Sequence, residues 1–128
     1  MKKIYYQKLI RDNIPANIKK AGAQGEFRKL NKKQFATALI RKVEEESSGM
    51  QTAKTKKELV SEMADVLDVI EEIKKIKKIR NDDIARARKA NMKRKGGFKK
   101  RLYLVWSSDD GYKTNEKKYS KQVKAFPK

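Results

Sequence analysis

Three acidic side chains, Glu46, Glu62 and Asp65, carry the spacing in this sequence that points most directly to chemistry. Each residue of an α-helix turns about 100° around the axis, so the direction of a side chain can be set against the apolar stripe of its own segment. After Asn31, the side chains of Phe35, Leu39, Val43 and Met50 fall within roughly 80° of arc, Glu46 lies among them, and Glu45 points about 130° from their centre. After Thr55, Leu59, Met63, Val66, Ile70 and Ile73 form the stripe, with Glu62 near its edge and Asp65 one step further round on the same side. A carboxylate turned toward a core costs several kcal/mol unless something compensates it. Two compensations fit: an ion pair with Lys42 or another nearby lysine, or a divalent cation gripped between two antiparallel helices. Glu44, Glu58, Asp68, Glu71 and Glu72 fall mainly on outward faces and read as solvated partners for lysines.

The rest of the inventory narrows the chemistry. The 128 residues hold no cysteine and no histidine, which excludes disulfides, thiolate or imidazole zinc sites, cysteine nucleophiles and serine–histidine catalysis. Carboxylates, lysines, arginines and hydroxyls remain, a set suited to hard, oxygen-ligated cations such as Mg²⁺, with Mn²⁺ as a substitute. The net charge of +19 calls for a polyanionic partner. Its distribution is uneven: residues 31 to 79 carry 11 basic and 9 acidic side chains, whereas residues 1 to 30 carry 8 and 2, and residues 80 to 105 carry 10 and 2. Acid in the middle and base on both sides is the order expected if a central carboxylate site holds metal while flanking segments meet phosphate.

These side chains need helices to position them. Asn13 is placed to cap a helix with Pro15 in its first turn and Gly22 at its end. Asn31 with Gln34, and Thr55 with Glu58, are capping-box-like starts for a second helix to about Ser48 and a third to about Lys78. Asn81 opens a fourth, strongly basic helix that ends at Gly96-Gly97. Residues 25 to 30 and 101 to 106 alternate well enough to form two short paired strands. The expected class is mainly all-α with a small two-stranded β element. Residues 1 to 106 form one domain, and residues 107 to 128 form a basic tail expected to be partly ordered at best. No apolar run approaches the roughly 20 residues of a membrane span, and Met1-Lys2-Lys3 leads into mixed polar sequence, so no membrane and a cytoplasmic location are expected.

Four segments then fall into a recognisable order: Lys8-Leu9-Ile10-Arg11-Asp12-Asn13-Ile14-Pro15, Lys42-Val43-Glu44-Glu45-Glu46, Glu62-Met63-Ala64-Asp65-Val66-Leu67, and Gly96-Gly97-Phe98-Lys99-Lys100-Arg101. Together they resemble the MazG-like all-α nucleoside triphosphate pyrophosphohydrolases, most closely a short phosphoribosyl-ATP pyrophosphohydrolase-like branch. The resemblance implies an antiparallel four-helix bundle and Mg²⁺-dependent hydrolysis of a nucleoside triphosphate between its α and β phosphates, giving the monophosphate and pyrophosphate. It implies Glu46, Glu62 and Asp65 as metal ligands, and Glu45 beside them is the candidate for orienting the attacking water. Lys8 and Arg11, followed by Lys93, Arg94, Lys99 and Arg101, are its phosphate-binding residues, and a homodimer or higher homo-oligomer is the expected assembly. One position departs from the pattern: Gly49 stands where the family carries a third carboxylate, and a glycine there weakens the helix by about 1 kcal/mol relative to alanine. A MazG-like protein that binds nucleotides without hydrolysing them is one alternative. The other is a helical module that binds nucleic acid through its basic surface.

Overall fold

The structure is a computed structural model that describes residues 2–108, 111, 112, 114 and 118–121. Four helices follow one another: α1 (Ile14–Lys20), α2 (Lys32–Thr52), α3 (Lys56–Lys77) and α4 (Asn81–Lys95). The chain divides into two compact units, Met1–Ala87 and Arg88–Lys128. No helix of the described residues is long and apolar enough to cross a membrane.

Local chemistry accounts for most helix ends. At α2, Gln34 N–H donates to Asn31 Oδ1 at 2.8 Å while Asn31 N–H donates to Gln34 Oε1 at 3.1 Å, so the reciprocal capping box forms as expected. At α3, Thr55 Oγ1 accepts from Glu58 N–H at 3.1 Å, and the Glu58 carboxylate reaches one residue further back, accepting from Lys54 N–H at 2.8 Å. The remaining two starts differ from expectation. Asn13 is already in helical backbone conformation and makes no side-chain cap. Asn81 is the first residue of α4 rather than its cap, and Asp83 Oδ2 accepts from Arg80 N–H at 2.8 Å instead. Asn81 Oδ1 accepts from Lys74 Nζ of α3 rather than from its own helix. Gly96, at φ +79°, closes α4 with its N–H on Met92 O at 2.9 Å.

Residues 25 to 30 and 101 to 106 are not strands, and among the described residues there is no strand at all. A strand exists through its ladder partner, and a lone two-stranded ribbon is marginal even with a covered apolar face. Here that face is bare: Leu102 and Trp106 are 85% and 81% exposed. The expected disorder of residues 107 to 128 concerns positions most of which lie outside the described residues.

Packing centres on α2 and α3, the helix pair in extended contact, joined by Ala53–Thr55 into an antiparallel hairpin. Along α2 and its C-cap the half-buried or buried positions include Phe35, Leu39, Lys42, Glu46, Gly49 and Ala53, and within α3 Glu62, Val66, Val69, Ile73 and Ile76. Both series step by alternating fours and threes, the seam spacing of two helices packed along each other. Leu39 and Val69 are its buried centre. The α3 seam is rotated from the expected stripe, since Leu59 and Met63 face solvent while Glu62 and Asp65 are half-buried. The opposing stretch of α2 offers Lys42, Glu46 and Gly49 in place of large apolar side chains, which leaves room there for those acids.

Leu39→Ala is expected to cost about 2–3 kcal/mol of stability, because a buried side chain leaves a cavity in a thin core. Leu59→Ala is expected to cost less than about 1 kcal/mol, since Leu59 is already partly in water. Urea denaturation of both variants measures the difference, and equal losses would show that the seam has been placed on the wrong face.

Candidate metal centre on the α2–α3 hairpin

Glu46 reaches the seam from α2, and Glu62 and Asp65, one turn apart, reach it from α3. One carboxylate oxygen from each lies within 4.8 Å of the other two, and all three residues are half-buried. Oxygens sharing one Mg²⁺, at 2.0–2.1 Å from the metal, sit about 3 to 4 Å apart, so a single hard cation needs only a slight inward movement of these groups. The donor set is all oxygen and anionic, which is the chemistry such a cation takes.

The surrounding charges do not cancel. Lys42 Nζ lies 3.1 Å from Glu45 Oε1 and 3.2 Å from Glu46 Oε1, with its side chain only 12% exposed. Lys8 Nζ is 3.5 Å from the same Glu45 oxygen. Arg11 Nη2 donates at 2.8 Å to both Asp65 Oδ1 and Asp68 Oδ2. Three basic side chains thus face five carboxylates, an excess of two negative charges. Glu62 has no cationic partner among the described residues. The hydrogen bond to Asp68 leads in raising the Arg11 pKa above its ordinary value; partial burial opposes it, and the charges of Asp65 and Asp68 add to it, so the guanidinium keeps its proton throughout. Like charges held this close repel unless a cation enters, and a divalent ion matches the excess.

Gly49 shapes the same spot. It lies one turn beyond Glu46 on α2, and a Cβ built on it would stand 2.8 Å from Glu62 Cδ and 3.2 Å from Glu62 Oε1, well inside contact distance. The Glu62 carboxylate therefore rests in the room that a side chain at position 49 would fill.

Sequence reasoning thus brings together what the helices bring together, with additions. Of the expected phosphate-binding residues, Lys8 and Arg11 lie against Glu45, Asp65 and Asp68. Lys93, Arg94, Lys99 and Arg101 belong to the unit Arg88–Lys128 and are exposed, with Arg94 Nη2 donating to Asn91 Oδ1 at 3.2 Å. An open groove of about 410 Å³ runs along α2, lined by the apolar Leu9 and Leu30, the bases Lys33, Arg41 and Lys42, and Glu45. Lys33 and Arg41 escaped the sequence reading. They stand two turns apart on α2, away from its apolar stripe, and nothing in their spacing marks them out from the other bases of the chain.

No protein-family model, curated protein or solved structure matches this chain.

Millimolar Mg²⁺ is expected to raise the thermal midpoint of the protein, by linkage worth about 1.4 kcal/mol at ten times the dissociation constant. Glu62→Gln is expected to remove the rise. Lys42→Met, which increases the negative excess, is expected to lower stability without metal and enlarge the Mg²⁺-induced shift. A shift indifferent to both changes would place the cation elsewhere.

Proposed function

We propose that the chain is a Mg²⁺-dependent nucleoside triphosphate pyrophosphohydrolase of the MazG-like type, splitting its substrate into the nucleoside monophosphate and pyrophosphate. The observation that carries this reading is the convergence of Glu46, Glu62 and Asp65 within 4.8 Å, under-compensated by two charges and flanked by a basic groove. A triphosphate brings negative charge and metal together, which suits a site whose cation hole and anion-attracting wall are neighbours.

In this reading Glu46, Glu62 and Asp65 would hold Mg²⁺. The bound ion would neutralise charge on the phosphate oxygens and make a water more acidic. Water oxygen bonds to phosphorus as the α–β bridging bond breaks, and the pyrophosphate leaves with the electron pair. Glu45, in the lining of the groove, orients that water and accepts its proton. Arg11 and Lys8 exchange their carboxylate contacts for phosphate oxygens, and Lys33 and Arg41 extend the positive wall. Leu9 and Leu30 offer apolar surface to the base.

A homodimer accompanies this proposal. Val60, Met63 and Leu67 are 56%, 46% and 60% exposed and share the face of α3 turned away from α2, an apolar stripe that a second copy would cover. Two hairpins laid face to face make the four-helix bundle that the MazG-like type requires.

With Mg²⁺ and a panel of canonical and modified nucleoside triphosphates, the protein is expected to release pyrophosphate from at least one, and Glu62→Gln to slow release more than about a hundredfold. Absence of cleavage across the panel removes the hydrolytic reading. If Mg²⁺-dependent nucleotide affinity persists without cleavage, a binding protein of the same type stands in its place. The net charge of +19 favours a second reading, in which the exposed bases of α4 bind nucleic acid. Affinity for nucleic acid falling steeply with salt, in a protein that cleaves no nucleotide, would establish it.

A further inference from the structure

Gly49 has no conformational reason to be glycine. It lies inside α2, and the glycines with left-handed backbone are Gly22 and Gly96, so an alanine would suit its backbone and its helix better. What an alanine would not suit is the neighbouring carboxylate, whose Cδ and Oε1 stand 2.8 and 3.2 Å from the position of the missing Cβ. That carboxylate is the free end of a flexible side chain, so a methyl group at position 49 displaces it rather than the helix. The displaced group is the one member of the acidic trio without a cationic partner among the described residues.

We propose that Gly49 is the positioning residue of the cation site, keeping open over α2 the space in which the Glu62 carboxylate comes within reach of Glu46 and Asp65. This inference rests on the reading of those three residues as cation ligands. Glu62 approaches from across the hairpin into ground that a residue of α2 would otherwise occupy, so two helices supply three ligands without a fourth acid at position 49. Alanine at this position strengthens the helix and weakens the site, two effects of opposite sign from a single methyl group.

Calorimetric titration of the full chain with Mn²⁺ alone, paired with melting of the metal-free protein, separates them. Gly49→Ala is expected to weaken Mn²⁺ binding about tenfold or more, while the metal-free melting temperature holds or rises. Glu62→Gln alone is expected to weaken binding at least as much. Added to Gly49→Ala it is expected to cost little further, because both changes remove the same ligand. Binding by Gly49→Ala equal to the wild type overturns the inference and leaves the cation reading intact. So does a loss of binding accompanied by a clear drop in metal-free melting temperature, which is damage to the hairpin. Tighter Mn²⁺ binding by Gly49→Glu overturns it too, since the space would then be room for an added ligand. If the wild type takes up no Mn²⁺, the cation reading falls, and the role given to Gly49 falls with it.

Discussion

Uncompensated negative charge in a half-buried seam is the constraint on which the rest of this structure turns. An αα-hairpin is usually held by apolar side chains all along its contact, and here one half of the contact is made of Glu46, Glu62, Asp65 and Lys42 instead. Among the described residues no ion pair of these carboxylates runs from α2 to α3, so they are not there to hold the two helices together. They are carried by the other half of the hairpin, where Leu39 and Val69 are buried and Phe35, Ile73 and Ile76 flank them. The apolar half sets the distance between the helices; the polar half uses it.

The two ends of the hairpin are built to suit. Near the connection at Ala53–Thr55 the helices approach with small residues, Gly49 and Ala53, which leaves space between them for side chains that need oxygen neighbours rather than carbon. The capping box of Asn31 and Gln34 and the Thr55 cap fix where each helix begins, and hence the angular phase of every acid along it. A slip of one residue in either helix turns its side chains by about 100° and scatters the trio.

Much of this was legible in the sequence, for reasons that differ from element to element. Capping signals are local chemistry, and at Asn31 and Thr55 they were read correctly. The meeting of Glu46 with Glu62 and Asp65 was legible because helical periodicity fixes direction and a short connection makes neighbours antiparallel. The stripe of α3 was misplaced because hydrophobicity alone sets no phase on a helix with apolar residues on two sides. Leu59 and Met63 satisfied the period as well as Val69 and Ile76 did, and only the partner helix decides between them. The strands at residues 25 to 30 and 101 to 106 were expected from alternation, but alternation does not supply a ladder, and no local pattern reports whether a distant segment arrives to pair. The groove bases Lys33 and Arg41 were hidden by abundance, as two lysines or arginines among 35 carry no individual signal until a concave surface collects them.

The fork that Arg11 makes with Asp65 and Asp68 joins side chains 54 and 57 residues apart. It fastens the segment ahead of α1 to the hairpin at two points from one side chain. Double anchorage tolerates partial release: with one carboxylate contact broken, the guanidinium still holds the other, and the strap stays moored. Losing one contact thus does not set the leading segment adrift, and re-forming it requires no new closure of a long loop.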